Sequence, residues 1–288
     1  MPSRVVALFE PVGVPHARLV SPGSPVVLAS DLGATRGDGV FETIGVVAGR
    51  PQALRLHLDR FARSARLLEL PDPDRRAWTK AIREVVAALP PTGEAFVKIV
   101  LTRGDEGGDG TPTGWLLGAP APDHTNARTE GIGVVLLEAG RSAGTAQQAP
   151  WLLLGAKTLS YAANRAMLRE AQRRGADDAL LLSTDGLLLE GPTSTVVLRT
   201  GDRLRTTPPE FGVLPGTTQA DVFRFAATRG FTCAVEPLTT ADLQRADAAW
   251  LASSGRLMAP IRAVDDTPRP IDAPLTADLN AWLLARLK

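Results

Sequence analysis

The chain has 288 residues of which 44% are hydrophobic, enough to bury the core of one large domain or two modest ones. Lys plus Arg number 32 against 31 for Asp plus Glu, and the arginines are interspersed with acids, so no net field favours nucleic acid or an anionic membrane, and small-molecule chemistry is expected. Cys233 is the single cysteine, which excludes an intrachain disulfide and a multi-cysteine metal site, and His16, His57 and His124 lack metal-ligand spacing, so no metal is expected.

The first apolar run ends at Glu10-Pro11, too short for a signal peptide, and no run approaches membrane-spanning length. The expectation is a soluble, cytoplasmic protein. Residues 40–47 read as a strand and Gly49-Arg50 as its turn. Leu54, Leu58, Phe61, Ala65 and Leu68 then recur at helical spacing until Pro71. A second helix is expected over 75–89 and a buried strand over 96–102, followed by the turn-rich Gly107-Gly108-Asp109-Gly110. Ala119-Pro-Ala-Pro-Asp-His124 reads as a linker, dividing a smaller domain, 1–120, from a larger one, 121–288.

Beyond it, 132–137 reads as a strand, 160–174 as a helix ended by Gly175, and 179–182 as a strand that Asp185-Gly186 turns back into 187–190. A second hairpin turns at Gly201-Asp202, a helix opens at Gly216-Thr217-Thr218, and a last helix covers 275–287. Strands linked by turns with helices inserted between them predict an α+β fold in two parts, without sustained β-α-β alternation.

Several residues carry possible chemistry. Lys157, one of only four lysines, lies in the apolar stretch 151–161. A desolvated lysine can deprotonate and attack a carbonyl, as arginine cannot; the alternative is a stem buried under a solvated ammonium. Gly216-Thr217-Thr218 offers free backbone N–H groups, two hydroxyls and the positive end of a helix dipole, suited to a phosphate or to simple capping. Arg60, three positions after His57, is either a solvated arginine or a bidentate anchor for that phosphate. Glu190, before Gly191-Pro192, is either a solvated turn residue or the partner of a protonated pyridine nitrogen. Arg103, at a strand end before Gly104, is a candidate clamp for a substrate carboxylate or a rim arginine. Gly140-Arg-Ser142-Ala-Gly144 matches a G-x-S-x-G nucleophile elbow, but no histidine follows it and 145–150 does not read as a helix, so a serine hydrolase is disfavoured.

In order and spacing these signals resemble the fold-type IV pyridoxal phosphate enzymes, the class that holds branched-chain and D-amino acid aminotransferases and aminodeoxychorismate lyases. Gly37-Asp38-Gly39-Val-Phe41-Glu42-Thr43 is similar to the family's G-D-G-x-F-E segment, and His57-Leu-Asp-Arg60-Phe61 looks like the helix whose arginine holds the cofactor phosphate. Lys157 matches the Schiff-base lysine, Glu190-Gly191 the carboxylate facing the ring nitrogen, Leu214-Pro-Gly216-Thr217-Thr218 the phosphate cup, and Ser253-Ser254-Gly255-Arg256 the loop beside it. Two positions depart from the pattern: Thr195 where many members have asparagine, and Gln219 where several have arginine.

The resemblance implies a two-domain fold like that of D-amino acid aminotransferase, pyridoxal 5′-phosphate as cofactor, held at the domain interface and by Arg60, Lys157, Glu190, Gly216, Thr217, Thr218 and Ser254, and a homodimer. It places Lys157 in the larger domain. Thr43 stands where the lyases have a threonine implicated in catalysis and branched-chain aminotransferases tend to have glycine, and Leu101-Thr-Arg103-Gly104 resembles the lyase strand end. The expected activity is therefore aminodeoxychorismate lyase of the actinobacterial type, forming 4-aminobenzoate and pyruvate on the way to folate, with an aminotransferase acting on D-amino or branched-chain substrates as the alternative.

Overall fold

A computed structural model describes residues 4–11 and 13–286. The chain forms two compact units: Met1–Pro122 with Ala156–Tyr161 and Arg286–Lys288, and Asp123–Gly155 with Ala162–Ala285. The strand ending the first unit runs to Pro120, opposite Ala95; a strand end tolerates a proline that donates no ladder bond.

The first unit contains β1 (Val5–Glu10), β2 (His16–Val20), α1 (Leu32–Thr35), β3 (Gly39–Val47), β4 (Arg50–Pro51), α2 (Leu54–Leu67), α3 (Arg75–Ala87), β5 (Glu94–Thr102) and β6 (Thr113–Pro120). Its strands make one antiparallel sheet in the order β2-β1-β6-β5-β3-β4. Period-two alternation gives the sheet a helix-covered face carrying Val40, Glu42, Ile44, Val97, Ile99 and Leu116, all fully buried or nearly so. Helix α2 turns Leu58, Phe61, Ala62 and Ala65 inward; in α3, Asp74 caps the first turn by accepting from the N–H groups of Arg76 and Ala77. Trp78 stacks on Phe9 and meets Phe61 edge-on. Gly118 lets α3 approach β6 closely, since a Cβ there would come within 2.7 Å of Val85 Cγ1.

The second unit contains α4 (Thr125–Thr129), β7 (Ile132–Glu138), α5 (Thr145–Gln148), α6 (Ala162–Arg173), β8 (Asp178–Leu182), β9 (Thr195–Thr200), β10 (Arg203–Thr206), α7 (Thr217–Thr228), β11 (Thr232–Val235), α8 (Thr240–Arg245), β12 (Ala248–Ser253), β13 (Leu257–Val264), β14 (Thr267–Pro268) and α9 (Ala273–Ala285). The sheet order is β11-β10-β9-β12-β13-β7-β8, with β14 beside β13. Val197, Val222, Trp250, Leu279 and Leu283 form one core cluster, and Ile132, Leu180, Leu188, Val196 and Leu251 another. Three features differ from expectation. Residues 187–190, expected as the returning strand of a hairpin, make only isolated bridges, Leu188 to Leu182 and Leu187 to Thr239. The pairs β7/β8 and β10/β11 are parallel, so α6 and α7 are crossovers. Residues 145–148 also form a single helical turn, with Ser142 Oγ 3.1 Å from Thr145 Oγ1. The expected end of the last helix at Leu287 lies outside the described residues.

Candidate active site

In the first unit the segment Gly37–Thr43 organises everything around it. Phe41 N–H donates to the carbonyl of Lys157 at 3.0 Å, Leu159 N–H donates to that of Gly39 at 2.8 Å, and Val40 bridges Thr158. Ala156–Tyr161 therefore lies along β3 and counts with the first unit, so Lys157 belongs there rather than with the larger one. Side chains at the two glycines would prevent this contact. A Cβ on Gly37 would sit 2.6 Å from Ser160 Oγ, and one on Gly39 2.7 Å from Leu159 Cδ1 and 2.8 Å from the Leu101 carbonyl. Lys157 N–H also donates to Ser64 Oγ of α2 at 3.0 Å, which fixes the lysine's backbone from a second side. Its Nζ lies 4.4 Å from the centroid of the Phe41 ring and 5.8 Å from that of Tyr161, and Tyr161 meets Phe41 edge-on at 5.4 Å.

The opposite face of β3 carries Glu42, with no exposed surface, between two residues of α2. Its carboxylate accepts from Arg60 Nε at 2.6 Å, from Arg60 Nη2 at 2.8 Å and from His57 Nδ1 at 2.8 Å. Burial would raise the carboxyl's pKa, but the Arg60 guanidinium and then His57 outweigh it and hold Glu42 well below the usual carboxylate range. The imidazole moves the other way. Burial lowers its pKa and the Glu42 carboxylate only partly compensates, so His57 is neutral, with Nδ1 carrying the proton that Glu42 accepts. Arg60, with its side chain 10% exposed, is not a solvated arginine: its Nε edge is locked by Glu42 in a bidentate geometry.

Arg103 is also engaged. It donates through Nε and Nη2 to the Asp38 carboxylate at 2.6 and 3.3 Å, and through Nη2 to the Leu68 carbonyl at 2.5 Å at the end of α2. Thr43 lies on β3 opposite Lys98, on the same face as Phe41 and partly exposed.

In the second unit, Glu190 is partly buried and accepts from Leu214 N–H at 3.0 Å. That bond ties the carboxylate to the approach of α7, whose N-cap is Gly216, without a side-chain cap. The first N–H groups of α7 have no intrahelical acceptor. Thr217 and Thr218 are both buried, and Thr218 Oγ1 has no hydrogen-bond partner. Gly216 cannot carry a side chain without a shift, because its Cβ would lie 2.4 Å from Thr195 Oγ1. Together these make a small cradle of N–H and hydroxyl donors at the positive end of a helix, the arrangement that receives an oxyanion. Ser254 lies in the turn between β12 and β13, which Arg128 clamps by donating to the carbonyls of Gly255 and Arg256 at 2.7 and 3.2 Å.

The first unit thus groups Lys157, Thr43, Phe41, Arg60 and Arg103 on or against β3, and the second groups Glu190, Gly216, Thr217 and Thr218 around the start of α7. Sequence reading assigned no role to Glu42, Asp38, Ser64 or Arg128. Glu42 was nonetheless detectable: it stands between Val40 and Ile44 on a strand's core-facing register, where a carboxylate must be paired.

The sequence description of the class IV aminotransferases matches residues 39–264. A bifunctional aminodeoxychorismate lyase / D-amino acid transaminase of Mycobacterium tuberculosis is 40% identical over 262 residues, covering 88% of this chain and 90% of the relative. Among solved structures, a fold IV transaminase of Curtobacterium pusillum superimposes with a TM-score of 0.93 at 47% identity, covering 99% of this chain and 98% of its own. The PLP-bound form of a hypothetical aminotransferase of M. tuberculosis superimposes with a TM-score of 0.90 at 38% identity, covering 97% and 99%. The chain therefore belongs to the class IV aminotransferases, enzymes of fold-type IV that use pyridoxal 5′-phosphate.

Proposed function

We propose that the enzyme is an aminodeoxychorismate lyase, converting 4-amino-4-deoxychorismate to 4-aminobenzoate and pyruvate in folate synthesis. The observation that carries this reading is Thr43: a hydroxyl on the open face of β3, two positions from the Phe41 ring that Lys157 Nζ overlies at 4.4 Å. Support also comes from the first activity in the name of the M. tuberculosis relative. Its second activity, D-amino acid transamination, is the alternative for this chain.

The residues present fit the cofactor. The cradle at Gly216, Thr217 and Thr218, with Thr218 Oγ1 unpartnered, would hold the phosphate together with Arg60 and Ser254. Arg60 is preset for this by Glu42, which takes one edge of the guanidinium and holds the rest in a fixed plane. Glu190 would hold a proton on the pyridine nitrogen. When bound, pyridoxal phosphate supplies an electron sink conjugated to the substrate's amine.

Lys157 would hold the cofactor, and its Nζ would serve as the base for the proton on the substrate's amine-bearing ring carbon. The Thr43 hydroxyl delivers a proton to the departing enolpyruvyl group, which leaves as pyruvate while the ring becomes aromatic. One proton leaves the ring carbon and one reaches the enolpyruvyl methylene, so no oxidant or acceptor is needed. Arg103 would reach a substrate carboxylate only by exchanging Asp38. By the family's habit the working unit is a homodimer.

The deciding experiment supplies aminodeoxychorismate without any keto acid. The lyase reading expects many turnovers to 4-aminobenzoate and pyruvate. Trace product, with D-amino acids bleaching the visible band and a keto acid restoring it, would overturn it in favour of transamination.

A further inference from the structure

The turn between β12 and β13 is held more firmly than its length requires. Ser253 pairs with Leu257, so only Ser254, Gly255 and Arg256 close the hairpin. Leu257 ends it in the left-handed region, with φ +58°, although it is buried and carries a full side chain. A residue other than glycine stays in that region only where its surroundings overdetermine it.

Those surroundings are two arginines and a buried carboxylate. Arg128 of α4, itself 9% exposed, commits its guanidinium to the carbonyls of Gly255 and Arg256. Arg256 turns its side chain back to β8, where Nη2 donates to Asp178, a residue with no exposed surface. The Arg256 N–H donates to Ser253 Oγ at 3.2 Å and closes the turn from inside. The other oxygen of Asp178 accepts from Ala179 N–H at 2.8 Å, which fixes the carboxylate to β8.

The turn opens beside the start of α7. Across the β9/β12 ladder Ala252 faces Thr195, and Thr195 Oγ1 is the atom that a Cβ on Gly216 would meet at 2.4 Å. Ser254 follows Ala252 by two residues, a reach of no more than about 7 Å along the chain.

We propose that Asp178, through Arg256, and Arg128 are positioning residues for the cofactor phosphate. They hold this turn in its left-handed closure and so set Ser254 at the edge of the cradle formed by Gly216, Thr217 and Thr218. The inference rests on the reading that this cradle receives the phosphate. A hairpin turn needs neither a buried ion pair nor a second guanidinium, whereas donors to an oxyanion must be fixed to within about 0.5 Å.

The test compares Asp178→Asn, the double variant Asp178→Asn/Arg256→Gln and Ser254→Ala by equilibrium dialysis of pyridoxal 5′-phosphate and of pyridoxal, which lacks the phosphate. The double variant removes both charges together and so leaves no lone buried ion to disturb folding. Each of the three should weaken pyridoxal 5′-phosphate about 5- to 20-fold, the loss of most of one charge-assisted hydrogen bond, and pyridoxal less than about twofold. The phosphorus NMR resonance of the bound phosphate should move in all three. Asp178→Asn added to Ser254→Ala should weaken binding little further, because the two changes act at one contact. Equal weakening of both ligands, or losses that multiply in the combined variant, overturns the proposal. Thr218→Val reports on the cradle separately. Unchanged pyridoxal 5′-phosphate affinity in that variant overturns the cradle and the proposal with it, whereas wild-type affinity in the Asp178 variants beside a weakened Thr218→Val overturns the positioning role alone.

Discussion

Glu42→Gln is the most informative single change, because it keeps the shape of a buried side chain while removing the charge that two others depend on. In the wild type the carboxylate accepts three hydrogen bonds, two from the Arg60 guanidinium and one from His57, with side-chain exposures of 0%, 10% and 1% for Glu42, Arg60 and His57. An amide offers one oxygen to three donors and points its own N–H₂ at another. One donor is left buried and unpaired, and the guanidinium loses its counter-charge. Breaking a buried pair by removing one partner costs about 3–5 kcal/mol. With an unfolding entropy near 2.1 cal/mol/K per residue for a chain of this length, Tm should fall by about 5–8 °C. Scanning calorimetry at pH 7 measures it. The pH dependence supplies a second readout. Since the folded carboxyl is held below its ordinary range, its stabilisation is complete above the unfolded carboxylate value near 4.3 and is lost as pH falls toward the folded value. The gap between wild type and variant should therefore narrow as the pH is lowered from about 5 toward 3. A Tm loss under about 2 °C, or a gap independent of acidity, would refute the claim that this triad is a tightly coupled buried network.

Further outcomes follow from the same geometry. His57 is buried neutral, its pKa lowered chiefly by burial, so the unfolded chain binds the proton first and stability should fall below about pH 6.5 by up to ~1.4 kcal/mol per pH unit; urea unfolding of His57→Gln should show a correspondingly flatter slope between pH 5 and 7, and an unchanged slope would place the titration elsewhere. Arg60→Ala should weaken pyridoxal phosphate retention about 10- to 100-fold, with activity largely rescued by excess cofactor; unchanged affinity in equilibrium dialysis would leave Arg60 a purely structural partner of Glu42. Gly216→Ala should cost about 1–3 kcal/mol by overpacking against Thr195, and Thr195→Ala in the same chain should recover much of it; no recovery by thermal melts would show the clash lies elsewhere. Lys157→Arg should abolish borohydride-fixed cofactor and turnover while leaving Tm within about 2 °C, since arginine keeps the charge over Phe41 but cannot deprotonate.

What the sequence made legible follows from the range of the interaction that decides each feature. The helices over 54–67, 75–87 and 217–228 and the strands over 39–47 and 94–102 are set by local periodicity and stop signals, and they lie within a few residues of expectation. Parallel pairing of β7 with β8 and of β10 with β11 was hidden, because only tertiary packing distinguishes a crossover helix from one inserted between hairpins. Lys157 stood out as a rare lysine among apolar neighbours, but its attachment to β3 depends on Gly37 and Gly39 clearing space for a segment far along the chain. Arg103 looked like a rim or substrate arginine until Asp38 and the end of α2 claimed its guanidinium.

The attachment of Ala156–Tyr161 to β3 has a consequence for how the protein is made. Lys157 N–H binds Ser64 Oγ across 93 positions of sequence, and at ordinary rates of translation the two residues leave the ribosome about 5–20 s apart. Until then the first unit has its triad and most of its sheet, but the Gly39–Phe41 edge of β3, which Lys157 and Leu159 later bond, is an open strand edge prone to wrong partners. A nascent chain halted before Lys157 lacks the amine proposed to hold the cofactor. On the proposed role of Lys157, covalent capture of pyridoxal phosphate would double as a marker that synthesis has passed this point and that the late segment has found its place beside β3.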